Sequence, residues 1–160
     1  MQSPSTSNNP EESTGESRKS TSRRFRILLV AVLVVLSIQG WFGDFVNIFV
    51  TTGTISPPVF TIAGFMQTVA NQGFGLMWHA FEGILLIALG VVTFAMSFFW
   101  SQSRGVRIAS GLGLASIISA GVGGFLFVMS GFTNGGNSAQ MGGSFIGAYA
   151  LYFIALYYAK

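Results

Sequence analysis

Four long apolar stretches alternate with short polar ones along the sequence, at about residues 27–50, 76–100, 108–130 and 141–159. Each is close to or above the ~20 residues that an α-helix needs to cross the hydrocarbon core of a bilayer. The connection at 101–107 is short and basic, and the one at 131–140 is rich in Gly and Asn. This pattern predicts an all-α, polytopic membrane protein built as a bundle of four transmembrane helices.

The stretch between the first two spans, residues 51–75, is less apolar and predicts a different element. Ser56 is followed by two prolines, a combination typical of a helix start, with Ser as the N-cap and Pro in the first turn. Apolar residues then recur at helical spacing over residues 59–70, interrupted by polar side chains such as Gln67. We therefore expect an interfacial helix lying on the outer membrane surface.

The first 22 residues have another character, because Ser, Thr, Asn, Pro and Glu predominate and no large apolar residue follows Met1. Such a segment cannot bury enough surface to offset the entropy lost on ordering. The sequence thus predicts a disordered cytoplasmic tail over residues 1–22 and one transmembrane domain over 23–160.

Composition and charge support this class and suggest an orientation. Hydrophobic residues make up 51% of the chain and charged residues 8%, whereas a soluble domain has about 25% charged residues. The net charge of +3 does not indicate nucleic acid, because the basic residues flank the apolar spans. By the positive-inside rule, both termini are expected in the cytoplasm and the protein in the cell membrane, with the lipid bilayer as its first partner. The basic residues are Arg18, Lys19, Arg23, Arg24, Arg26, Arg104, Arg107 and Lys160.

Small residues recur on one face of each span, at spacings of three or four. Such faces let helix backbones approach closely in lipid, where packing replaces the hydrophobic driving force. We expect them to pack within the bundle and against a second copy of the chain or a larger membrane complex. The residues concerned are Gly40, Gly43, Gly83, Gly90, Gly111, Ala115, Ser119, Gly123, Gly143 and Gly147.

Ionisable residues inside the spans mark the candidate site. His79, the only histidine, and Glu82 are one helical turn apart near the outer end of the second span, and Asp44 and Asn47 lie near the outer end of the first. Charges within a bilayer are costly and normally pair or neutralise. The four residues are therefore expected to converge in the outer part of the bundle, where they could simply fix the first helix against the second.

Three functional interpretations of this cluster stay open beside the structural one. A proton or ion path would use Asp44 and Glu82, although the residues below Glu82 on its face offer little continuation. A b-type haem would use His79 with Met129 or Met141 as the second ligand. A copper or zinc ion would combine His79 with the carboxylates and a methionine.

The preferred interpretation is non-enzymatic, a structural or accessory subunit with no cofactor. The zinc-protease, phosphate-loop and serine-hydrolase motifs are all absent from the sequence.

The stretch SIQGWFGDFVNIFVTT, followed by WHAFEGILLIALG, resembles small four-helix membrane proteins of archaea and actinobacteria. In those proteins a Gln, Gly and Asn-aromatic pattern closes the first helix and His-x-x-x-Gly opens the second. The resemblance covers two of the four helices and brings no activity with it. It implies that the matching residues act together near the outer surface, and Asp44 and Glu82 are not among them. The matching residues are Gln39, Gly43, Asn47, Phe49, His79 and Gly83.

Overall fold

The computed structural model describes residues 10–49, 60–101 and 103–159, and within the first helix the side chains of residues 23–46. These residues form five α-helices and no strand, which confirms the all-α fold class. The helices are α1 (Pro10–Phe49), α2 (Ile62–Asn71), α3 (Phe74–Trp100), α4 (Arg104–Met129) and α5 (Gly135–Tyr158).

Four segments of these helices are long and apolar enough to cross a membrane, and each overlaps one of the predicted spans. They are Arg23–Val46, Phe74–Trp100, Arg104–Met129 and Gly135–Tyr158. The last one begins earlier than the predicted residue 141 because Asn134 caps α5, its side-chain oxygen accepting a hydrogen bond from the Gly136 amide. The four spans fit a multi-pass membrane protein.

The N-terminal part of α1 differs from the sequence-based picture. Residues 10–22, predicted to belong to a disordered tail, continue α1 in the structure, whereas residues 1–9 lie outside the described part of the chain. A proline at the first helical position loses no hydrogen bond, and a helix already nucleated by the span extends residue by residue at low cost. The predicted boundary at residue 22 is therefore not marked by a helix end.

The predicted outer helix is present as α2, but its start differs. Thr61 is the N-cap and accepts a hydrogen bond from the Gly64 amide, while the predicted cap Ser56 lies outside the described residues. Val69, only 2% exposed, packs with Leu76 of α3 and Val128 of α4. The α2 helix thus covers one end of the bundle, and its opposite side, including Ile62, is exposed.

The four long helices form a closed ring in which α1 contacts α3 and α5, and α4 also contacts α3 and α5. Contacts between the end of one helix and the start of the next show that neighbours are antiparallel, as between Gly75 and Val46, or Gly105 and Tyr158. We call the end at which α1 finishes and α3 begins the outer end, and the opposite one the inner end. Most of the buried apolar core lies toward the inner end, around Phe25, Leu29, Val32, Leu36, Val106, Ile117 and Tyr152.

Several of the small residues predicted for helix packing lie at contacts between neighbouring helices. A Cβ atom placed on Gly111 would lie 2.9 Å from the Phe94 ring, and one on Gly123 would lie 2.9 Å from the Met141 amide nitrogen. Ser144 Oγ donates a hydrogen bond of 2.9 Å to Ser119 Oγ. Ala115 and Gly143 differ, because both are exposed.

Candidate functional site

The candidate site begins where α1 and α3 meet near the outer end. Gln39 of α1 is 9% exposed, and its Nε2 donates a hydrogen bond of 3.1 Å to the main-chain carbonyl of His79. The same nitrogen lies 3.4 Å from His79 Nε2. Gln39 therefore holds α3 through both the backbone and the imidazole of one residue.

Two glycines make room for this contact. A Cβ atom on Gly43 would lie 3.2 Å from His79 Cε1, which is closer than an ordinary van der Waals contact. On the facing helix, a Cβ atom on Gly83 would lie 3.7 Å from Gln39 Nε2. Gly43 thus provides the space that the imidazole ring occupies against α1.

Glu82 lies one turn further into the bundle on the same helix and is only 5% exposed. Its Oε2 has no hydrogen-bond partner among the described residues, and neither do Gln39 Oε1 and His79 Nδ1. A buried polar group without a partner costs about 1–3 kcal/mol, so such groups normally bind water, a proton or a ligand. We call Gln39, His79 and Glu82 the outer cluster.

A second set of buried polar side chains lies closer to the inner end. Tyr152 of α5 is 0% exposed, and its hydroxyl lies 3.1 Å from the position of a Cβ atom on Gly90. Its hydroxyl and Ser110 Oγ lack hydrogen-bond partners among the described residues. Thr93 and Ser97 are equally buried, but their hydroxyls donate to carbonyls of their own helix, those of Leu89 and Phe94. We call Thr93, Ser97, Ser110 and Tyr152 the inner hydroxyl group.

One leucine separates the two sets. Glu82, Leu86 and Gly90 follow one another at four-residue steps on one face of α3, and Leu86 is 3% exposed. Each step advances about 6 Å along the helix axis. The outer cluster and the inner hydroxyl group therefore share one face of α3 and are divided by an apolar side chain.

The structure rearranges the predicted cluster of Asp44, Asn47, His79 and Glu82. His79 and Glu82 both face the interior, but Asp44 is exposed and lies outside the cluster. The buried face of α1 continues from Leu36 to Gln39, and Asp44 lies about 140° away from Gln39 around the helix axis. The side chain of Asn47 is outside the described part of the structure.

The metal and haem hypotheses receive little support from this arrangement. Within the described residues no three His, Cys, Asp or Glu side chains lie close enough to hold a metal ion. His79 Nε2, a natural ligand atom for haem iron, already contacts the Gln39 amide at 3.4 Å. Met129 is buried near the end of α4, and the Met141 sulfur packs at Gly124, between α4 and α5.

Several residues of the site were not selected from the sequence, although two of them left a signal. Phe25, Leu29, Val32 and Leu36 recur at helical spacing and point to Gln39 as the next buried position. Tyr152 sits between the buried Ala148 and Ala155 at similar spacing on α5.

Four of the six residues that carry the family resemblance lie together in this region. Gln39, Gly43, His79 and Gly83 are within contact distance of one another as described above, whereas the side chains of Asn47 and Phe49 are not described. No family model matches the sequence, and no curated protein and no solved structure matches it either. The functional argument therefore depends on the geometry of this chain.

Proposed function

We propose that the protein is a small membrane protein that transfers protons through the interior of its helix bundle. The observation that carries this proposal is that buried polar atoms without described hydrogen-bond partners occur on both sides of Leu86. They are Gln39 Oε1, His79 Nδ1 and Glu82 Oε2 toward the outer end, and Tyr152 OH and Ser110 Oγ toward the inner end.

The kinds of side chain favour protons over metal cations. Imidazole, a protonated carboxyl and hydroxyl groups each both donate and accept hydrogen bonds, as a proton relay requires. A metal cation crossing the bilayer needs several oxygen ligands at once, and Glu82 is the only buried carboxylate among the described side chains. Ionisable side chains buried in membrane spans commonly mark such relays.

A purely structural role for the cluster explains less of the geometry. A polar network that only fixes two helices is most stable when all its members are satisfied. Here the contact between Gln39 and His79 uses one nitrogen of Gln39 and leaves its oxygen without a described partner. Glu82 contributes a buried carboxyl without a described partner for Oε2 to the same region.

The proposal includes a gate. Leu86 and Ile117 are both buried in the core between the two polar sets, so proton transfer requires water to pass Leu86. Apolar constrictions of this kind gate conduction by excluding water. If the basic flanks place both termini in the cytoplasm, the outer cluster takes up protons from the external side.

The test is proton flux into liposomes that contain the purified protein and a trapped pH-sensitive dye. With a potassium gradient and valinomycin driving uptake, Glu82→Gln and His79→Ala should each reduce the flux several-fold. Asp44→Asn is the matched control, because Asp44 is exposed and should leave the flux unchanged. Flux no higher than in protein-free vesicles, or equal in the wild type and Glu82→Gln, would contradict the proposal.

A second candidate is the structural or accessory subunit, favoured by one exposed feature. Gly142 and Gly143 are both exposed near the start of α5, and a Cβ atom on either would meet nothing within 4 Å. Small residues free of internal contacts suit close packing against a helix of another chain. Crosslinking in native membranes should then give a specific product that Gly143→Ile abolishes and Ile146→Leu, on the same helix, retains.

A further inference from the structure

A groove between α1 and α5 opens at the inner end of the bundle. It encloses about 370 Å³ and is lined by one cationic side chain, two aromatic ones and two aliphatic ones. The lining residues are Arg26, Phe153, Leu156, Tyr157 and Ala159. This groove is separate from the outer cluster, which lies near the opposite end of α1.

The groove lies at the level where a lipid headgroup meets the hydrocarbon. Arg26 is near the start of the span Arg23–Val46, and Tyr157 is near the end of the span Gly135–Tyr158. Tyrosine is enriched at this boundary because its ring is apolar and its hydroxyl reaches water. Going deeper, the wall continues as Leu156 and then Phe153. The groove is thus polar where headgroups lie and apolar where acyl chains lie.

The charges around the groove select the occupant. No lining side chain is acidic, and Arg23 and Arg24 lie exposed on the helix that carries Arg26. An arginine guanidinium can donate two parallel hydrogen bonds to a phosphate group. A free phosphate ion would satisfy Arg26 but would leave the aromatic and aliphatic wall uncovered.

We propose that this groove binds an anionic phospholipid. The lipid phosphate pairs with Arg26, and one acyl chain lies against Phe153 and Leu156. The neighbouring arginines favour an anionic headgroup over a zwitterionic one, because they add positive potential at the same level. This proposal is independent of proton transfer, since lipid binding is measured without flux.

Native mass spectrometry of the detergent-solubilised protein tests the proposal by titration with phosphatidylglycerol and, separately, phosphatidylcholine. Arg26→Gln should weaken phosphatidylglycerol binding about tenfold, the loss expected for one charge-assisted contact. Arg24→Gln is the matched control, because it removes the same charge from the same helix outside the groove. Phe153→Ala should also weaken binding, while Ile154→Ala, at the exposed neighbouring position, should not.

Several outcomes would overturn the proposal. Equal losses in Arg24→Gln and Arg26→Gln would mean that lipid is attracted by the basic segment as a whole. Equal binding of both lipids, or complete displacement by inorganic phosphate, would show that the groove does not select an anionic lipid. If Arg26→Gln does not fold, Arg26→Lys keeps the charge but loses the paired donors, and it together with Phe153→Ala must still bind more weakly than wild type.

Discussion

The Tyr152 hydroxyl is the atom at which packing and proton transfer separate most clearly. It is fully buried without a described hydrogen-bond partner, so Tyr152→Phe removes one oxygen and leaves the packing of the ring. We expect the stability in detergent to change by no more than about 1 kcal/mol, or to rise. Proton flux in liposomes should fall several-fold. A large loss of thermal stability would mean that the hydroxyl has a structural partner, and unchanged flux would exclude Tyr152 from the path.

Gly43 permits a second test at the level of a single atom. In Gly43→Ala the new methyl group would lie 3.2 Å from His79 Cε1, so the imidazole must shift. We expect a loss of about 1–3 kcal/mol, the usual cost of overpacking, and a displaced imidazole NMR signal. His79 is the only histidine, so its signal needs no assignment.

Gly83→Ala is the control for this substitution, because its methyl group would stand at an ordinary 3.7 Å from Gln39 Nε2. It should leave the imidazole signal in place. Equal shifts in the two variants would show that His79 is not seated against Gly43.

The same residues show how far the site could be predicted. The face of α3 that carries Glu82, Leu86 and Gly90 was identified from helical spacing, and all three are buried. For α1 the prediction favoured the small and polar face with Asp44, whereas the buried side chain is Gln39. The longer side chain of Gln39 reaches across to α3 from the margin of that face. Helical spacing gives a face but not which of its edges meets a neighbour.

At the scale of the helix, Gly123 decides how closely α4 and α5 approach. A methyl group in Gly123→Ala would meet the backbone of α5, 2.9 Å from Met141 N and 3.0 Å from Asn137 O, and a backbone cannot rotate away as a side chain can. The helices must separate, at a cost of about 1–3 kcal/mol. Thermal unfolding in detergent should therefore occur at a lower temperature.

Gly143→Ala makes the same chemical change on α5 with nothing within 4 Å of the new methyl group. Alanine is the better helix former by up to about 1 kcal/mol, so this variant should be as stable as the wild type or more so. A Gly123→Ala variant as stable as Gly143→Ala would contradict the close packing of α4 against α5.

The helices themselves were the most predictable elements, because the length and hydropathy of a span follow directly from bilayer thickness. Their ends were less predictable. The fourth span was expected from about residue 141, but the cap formed by Asn134 starts α5 at Gly135. A weakly apolar first turn such as Gly-Gly-Asn-Ser does not stand out in a hydropathy pattern, so the cap had to be seen in the structure.

For the whole molecule, the order of helices around the ring was not accessible from the sequence. Small residues occur on two ridges of α4, and one of them meets Phe94 of α3 while the other meets Ser144 of α5. Either ridge could have faced either neighbour. Tyr152 enters the site only because α5 packs beside α4 with its hydroxyl close to Gly90 of α3, which explains why sequence reasoning did not select it.

Orientation in the membrane determines the direction of any proton transfer, and single cysteines can establish it because the chain has none of its own. Ser103 lies in the inner turn and makes no side-chain capping bond, and Thr133 is exposed in the outer turn before α5. With Arg104 and Arg107 at the inner end, the positive-inside rule places that end in the cytoplasm. On intact cells a membrane-impermeant maleimide should label Thr133→Cys at once and Ser103→Cys only after permeabilisation.

The opposite labelling pattern would invert the protein, and its consequences would extend to both proposals. The outer cluster of Gln39, His79 and Glu82 would then take up protons from the cytoplasm, and the groove at Arg26 would face the external leaflet. Anionic lipids are concentrated in the cytoplasmic leaflet, where they attract basic segments. An inverted orientation would therefore leave Arg26 without its proposed ligand in the membrane, even if that lipid binds the purified protein.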